Sequence, residues 1–135
     1  MIRGGCLCGA CAFEADALSG PLGHCHCRTC RKAHSAAFAT TARTGRAGFR
    51  WTAGDDVRRA YESSPGKLRW FCSRCGSQLM AEWTARDEVI LRVGAVDDGI
   101  EGQRPVAHIW MSDAAAWDTT TDDLPHYQEG APPRR

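Results

Sequence analysis

The sequence predicts a mainly β protein built as a pair of sheets, and three observations carry that expectation. Short segments with side chains of period two recur along the chain, separated by Gly, Pro, Ser and Asp turn signals about every 8–12 residues. Only one segment shows helical spacing, and it is short. Eight cysteines fall in groups drawn from both halves of the chain, where a metal would pin distant strands together.

The elements follow in order. GGCLCGACAFEAD, residues 4–16, alternates: Cys6, Cys8 and Ala10 point one way, and Leu7, Gly9 and Cys11 the other, the logic of a strand. Gly20-Pro21 marks a loop. RTCRKAHSAAFAT places Cys30, Ala33, His34, Ala37 and Phe38 at helical spacing, so a helix is expected over about 28–34, while AAFATTAR reads equally as a strand. Gly45 to Gly48 is a turn, and GFRWTAG is a short strand stopped at Gly54. VRRAYESS and LRWFC form the arms of a hairpin around Ser64-Pro65-Gly66. SQLMAEW and EVILRVGAV are two further strands, with Ala85-Arg86-Asp87 between them. HIWM, residues 108–111, is the last strand; 114–117 is expected to make one helical turn before a polar tail.

No repeat, low-complexity run or linker divides the chain, so residues 1–135 are expected to form one zinc-binding domain with a poorly ordered tail from about 128. At this size about two-thirds of the unfolded surface is buried, enough for a core without disulfide staples. The net charge of +1 gives no electrostatic case for nucleic acid. No run approaches the ~18 apolar residues of a membrane span. The start, MIRGGCLCGACAFEAD, has no apolar signal-peptide core, so a cytoplasmic location is expected.

In a reducing compartment and with an adequate core, such a density of cysteines points to metal rather than disulfides. The spacings are C-x-C at Cys6 and Cys8, C-x-C-x-x-C at Cys25, Cys27 and Cys30, and C-x-x-C at Cys72 and Cys75. Neither outer pair completes a tetrahedral site alone. Together Cys6, Cys8, Cys72 and Cys75 make the all-thiolate set of a closed structural zinc, with Gly76 free to take positive φ after the last ligand. Structural zinc contributes on the order of 10–16 kcal/mol in small peptides. Cys25, Cys27 and Cys30 remain. Either they form an open, catalytic zinc site with water or substrate as the fourth ligand, or His24, His26, His34 or Cys11 closes it. A third arrangement joins Cys6 and Cys8 to two of the 25–30 group but leaves the C-x-x-C pair short of ligands. Cys11 otherwise reads as a buried strand residue.

GGCLCGA, CHCRTCRK, FCSRCGSQL, VGAVDD, HIW and LPHY, in this order over residues 4–127, resemble the glutathione-dependent formaldehyde-activating enzyme family, a group of zinc-binding carbon–sulfur lyases. The resemblance implies a β-tent, two antiparallel sheets pinched by zinc. It implies that Cys6, Cys8, Cys72 and Cys75 hold the structural zinc and that Cys25, Cys27 and Cys30 hold a second, open zinc, giving two per chain. Two positions depart from the family pattern: His34 stands where a small residue is usual, and Cys11 where a Val-like one is.

The activity implied is that of an S-(hydroxymethyl)glutathione synthase. Glutathione, the co-substrate, is held as a zinc thiolate for addition to formaldehyde or a similar small electrophile. Free thiols have pKa near 8.5 and are mostly protonated at neutral pH, so metal binding would activate them. Arg28, Arg31 and Lys32 offset the negative charge of three thiolates on Zn²⁺ and are candidate contacts for the carboxylates of the thiol peptide. Partners are thus a small-molecule thiol and an electrophile, and the exposed edges of a tent-like sheet pair would accommodate a homodimer. Other readings stay open: a non-catalytic two-zinc scaffold, a redox, Cu(I) or iron–sulfur protein, or a family enzyme acting on another thiol adduct.

Overall fold

The computed structural model describes residues 1–132. In chain order its elements are β1 (Ile2–Gly5), β2 (Ala12–Ala15), β3 (Leu22–Cys25), α1 (Arg28–His34), β4 (Ala39–Gly45), β5 (Phe49–Ala53), β6 (Arg58–Ser64), β7 (Lys67–Cys72), β8 (Gln78–Trp83), β9 (Glu88–Arg92), β10 (Val96–Asp98) and β11 (Pro105–Ile109). Single 3-10 turns occupy Arg46–Gly48, Val93–Ala95 and Met111–Asp113. The strands form two sheets, a smaller one in the order β10-β1-β2-β5 and a larger one in the order β11-β3-β4-β9-β8-β7-β6.

The mainly β, two-sheet expectation therefore stands, with one correction: the sheets are not wholly antiparallel. β11 lies parallel to β3, with Ile109 opposite Cys25. Parallel pairing needs a long connection rather than a hairpin, and the two strands are far apart in sequence.

A second correction concerns residues 4–16. They are not one strand but a hairpin, β1 paired with β2 in the register Gly4–Phe13 and Gly5–Ala12. The chain reverses over Cys6–Cys11, where the Cys6 N–H donates to the Cys11 carbonyl at 3.0 Å and the Gly9 N–H to the Cys6 carbonyl at 3.1 Å. Gly9 sits at φ +82°, a conformation that costs glycine nothing and other residues a good deal. Alternating side chains are compatible with both a strand and this turn.

The remaining elements fall where their local chemistry puts them. α1 covers 28–34, and AAFATTAR continues into β4 rather than extending the helix. The helix is capped by the Cys27 sulfur, which accepts from the Cys30 N–H, and it stops where Ser35 turns left-handed and its N–H bonds the Arg31 carbonyl. β6 and β7 close around Pro65-Gly66. The helical turn expected at 114–117 lies instead at Met111–Asp113, because Trp110 takes a left-handed conformation and ends β11 early. Backbone hydrogen bonds join residues 108–112 to 125–129, and the end of the tail expected to loosen from about 128 lies, from 133, outside the described residues.

The core lies between the sheets. Ile2, Phe13 and Ala15 of the smaller sheet meet Cys72, Leu79 and Leu91 of the larger, all nearly inaccessible. β8 and β9 are central strands of the larger sheet, which is why LMA and VIL read as unbroken apolar runs. No helix among the described residues is long and apolar enough to cross a membrane.

Candidate metal centres

Each of two separate buried clusters carries a cysteine group. Cys6 and Cys8 come from the β1–β2 turn, Cys72 ends β7, and Cys75 follows in the β7–β8 turn; their four sulfurs lie within 4.8 Å of one another. Cys6 and Cys8 are 3.6 Å apart and Cys8 and Cys72 3.8 Å. Gly76, at φ +80°, closes the second turn by donating its N–H to the Cys72 carbonyl at 2.8 Å, as the C-x-x-C-G spacing predicts. Ser77 links the two turns: its hydroxyl oxygen accepts from the Leu7 N–H at 2.9 Å and lies 3.3 Å from the Cys75 sulfur. Hydrogen bonds from the Ser77 hydroxyl and N–H hold the Cys75 thiol down to about 5, ready to serve as a thiolate ligand. Cys11 is adjacent but outside the four. Burial, then the neighbouring Cys72, pushes its thiol up to about 12, and its N–H donates to the Cys6 sulfur at 3.2 Å.

The second cluster is Cys25 at the end of β3, Cys27 at the helix cap and Cys30 one turn into α1, again within 4.8 Å. No other His, Cys, Asp or Glu among the described residues joins it. The residues expected as closers are engaged elsewhere or apart. His24 Nδ1 lies 2.9 Å from the Thr40 hydroxyl, His26 Nε2 lies 2.8 Å from His108 Nδ1, and Cys11 belongs to the other cluster's surroundings. His34 lies outside the set, its Nε2 buried without a partner.

The electrostatics around these three sulfurs are strongly asymmetric. Hydrogen bonds from Cys25 and Cys27, then the charges of Arg92 and Arg69, hold the Cys30 thiol far below its ordinary value. The same bonds to Cys27 and Cys30, followed by burial, push Cys25 far up. Arg69 on β7 donates from Nη1 to the Cys30 sulfur at 3.7 Å and from Nε to the Ser63 hydroxyl at 2.9 Å. Arg92, 3% exposed at the end of β9, leaves Nε and Nη2 without hydrogen-bond partners. A set of three thiols with counter-cations in place suits a borderline-soft divalent ion such as Zn²⁺, and the four-thiol set suits the same ion in a closed tetrahedron.

Two clefts flank this region. One, of about 470 Å³, is lined by Arg28, Thr29 and Lys32 of α1 together with Tyr61, Arg69 and Gln78. The other, of about 670 Å³, lies between the sheets and includes His34, Ala39, Gln78, Arg92 and Asp97. The sulfurs of the trio line neither; Arg69 on one side, Ala39 and Arg92 on the other, connect them to the clefts. Arg28 and Lys32 line the first cleft, whereas Arg31 lines neither. Arg69 and Arg92 were not singled out by sequence reasoning. Their signal was an arginine placed within apolar strands, in KLRWFC and EVILRV.

A family model described as glutathione-dependent formaldehyde-activating enzyme matches residues 1–113. The chain belongs to that family. Within the formaldehyde-activating enzyme family's matched span lie all seven clustered cysteines and both buried arginines. A crystal structure of a Rhodobacter sphaeroides protein, from a structural genomics programme, is similar with a TM-score of 0.61 and 25% identity, covering 76% of this chain and 91% of that chain. No curated protein matches the chain.

Proposed function

We propose that the protein is a carbon–sulfur lyase or synthase that joins a small anionic thiol, glutathione or a close analogue, to formaldehyde or a similar small electrophile. Cys25, Cys27 and Cys30 form its reactive metal centre, and Cys6, Cys8, Cys72 and Cys75 its structural one. One observation carries the reading: a three-thiol set with no fourth protein donor among the described residues lies beside a cleft that presents Arg28, Lys32 and Arg69 and no carboxylate.

Arg28 and Lys32 bind the carboxylates of the incoming thiol, and Arg69 spans from that cleft to Cys30. Binding thereby converts a bimolecular encounter into a positioned one, which supplies much of the available rate. A zinc ion, when bound, supplies one vacant coordination position and makes a thiol placed there more acidic. In the synthetic direction the C–S bond forms as the thiol sulfur adds to the carbonyl carbon. The π pair passes to the oxygen, and the proton released by the thiol ends on that oxygen as the hydroxymethyl O–H. The lyase direction reverses each step. Eight free thiols suit a reducing cytoplasm.

The test measures exchange between glutathione plus formaldehyde and their adduct by NMR, with the zinc-loaded protein and with Cys27→Ser. Exchange faster than the uncatalysed rate, and lost in the variant, supports the reading. An uncatalysed rate with wild-type protein, together with no thiol binding, overturns it.

A further inference from the structure

A third cluster of donors lies apart from the cysteines. A ring nitrogen of His108 on β11, a carboxylate oxygen of Asp122 and a ring nitrogen of His126 lie within 4.8 Å of one another. We propose that His108, Asp122 and His126 form a further divalent-metal site, of the two-histidine, one-carboxylate type, that clamps the C-terminal segment onto β11.

The three side chains are aimed by their surroundings. His108 is 2% exposed and its Nδ1 lies 2.8 Å from His26 Nε2, which leaves Nε2 as the outward-facing nitrogen. The Leu124 N–H donates to Asp122 Oδ1 at 3.0 Å, and Asp122 Oδ2 lies 2.9 Å from His108 Nε2. His126 is set beside His108 by a parallel bridge, in which the His108 N–H reaches the Pro125 carbonyl and the Tyr127 N–H reaches the His108 carbonyl, each at 2.9 Å.

The hydrogen-bond chain from His26 through His108 to Asp122 is compatible with a cation at its outer end. With one proton per ring, two orders exist. If His108 Nε2 carries hydrogen toward Asp122, then His108 Nδ1 accepts from His26, and His26 Nδ1 is left as a bare lone pair. That atom is buried without a hydrogen-bond partner, and the nearest charge is the Asp118 carboxylate at 4.0 Å. In the reverse order the His26 Nδ1 N–H points toward the Asp118 carboxylate, 4.0 Å away and beyond hydrogen-bond distance, and His108 Nδ1 donates to His26 Nε2. His108 Nε2 then faces the Asp122 carboxylate, lone pair against anion. A metal ion held by both satisfies that end, while His26 serves as the outer partner that fixes the ligand's tautomer. Two imidazoles and one carboxylate select zinc, cobalt or nickel over calcium or magnesium. Asp122 and His126 lie beyond the residues the family model matches.

The experiment titrates the full chain, its cysteine centres already filled with zinc, with Co²⁺. The expected result is an additional equivalent whose visible absorption rises without a thiolate-to-cobalt charge-transfer band, and whose paramagnetism broadens the His108 and His126 ring resonances. His126→Ala and Asp122→Asn should each weaken that equivalent by at least ~10-fold. Both residues are largely exposed, so the variants should fold, and the NMR readout on the unaltered chain needs no variant. No additional equivalent, or one that survives both substitutions, overturns the proposal.

Discussion

Replacing Arg69 with glutamine tests how the chain recognises its thiol. Arg69 is 4% exposed, touches Cys30 through Nη1 and Ser63 through Nε, and lines the cleft that also presents Arg28 and Lys32. A hydrogen bond to a charged group contributes about 1.5–3 kcal/mol. Its loss should therefore weaken glutathione binding by about 10- to 150-fold. Folding should suffer much less. Glutamine retains a donor for Ser63, so a cost of about 1 kcal/mol and a fall of a few degrees in Tm are expected. The assay is calorimetric titration of zinc-loaded variant with glutathione, with elemental analysis confirming that the metal is retained. Arg104→Gln, at an exposed residue lining neither cleft, is the control and should bind as wild type. Affinity unchanged within twofold in a metal-retaining Arg69→Gln would rule out this contact.

Cys72→Ser should remove more than activity. A structural metal contributes about 10–16 kcal/mol against a domain stability of about 5–15 kcal/mol, so a cooperative thermal transition should vanish, as followed by circular dichroism. Cys11→Ala should cost only about 1 kcal/mol and leave the zinc count per chain unchanged; a lost equivalent would make Cys11 a ligand. Arg92→Met should leave metal-free stability level or higher, since it removes a buried guanidinium with two unpartnered nitrogens; urea unfolding in the presence of chelator reads this, and a loss above about 2 kcal/mol would contradict it. His34 is held down to about 4, by burial first and then by Arg92, below its ordinary 6.5. The folded state then binds fewer protons than the unfolded between those values, so this histidine stabilises the fold above pH 6.5 and loses that contribution as pH falls toward 4. Wild type should lose stability over that window more steeply than His34→Gln, and equal slopes in acid unfolding would refute the assignment.

Much of the candidate site was legible because ligand chemistry is written in local spacing. C-x-C, C-x-C-x-x-C and C-x-x-C-G each specify a turn or helix start that converges its own sulfurs, whatever lies elsewhere in the chain. The pairing of Cys6 and Cys8 with Cys72 and Cys75 followed from counting to four. The helix over 28–34 and the hairpin at Pro65-Gly66 were legible for the same reason: each is set by a few neighbouring residues. The turn at Cys6–Cys11 was read as a strand because alternation does not separate the two, and Gly9 acts only through a φ value that the sequence does not display.

Local spacing was enough to establish the mainly β class, the grouping of seven cysteines into three and four, and the membership of Arg28 and Lys32 in the α1 segment beside the trio. The strand class and the helix depend on contacts within a few residues, whereas the four-cysteine set joins pairs more than sixty positions apart and rests on the count of ligands a closed site needs. Three-dimensional packing was needed to show that the trio gains no fourth protein donor among the described residues, because His24, His26 and His34 sit near in sequence and are engaged or displaced in space. Packing also brought Arg69 and Arg92, from strands 39 and 62 positions beyond Cys30, against that residue's charge, and set His126 beside His108 across a parallel bridge. Such pairings arise from sheet order and register, which are properties of the whole packed chain.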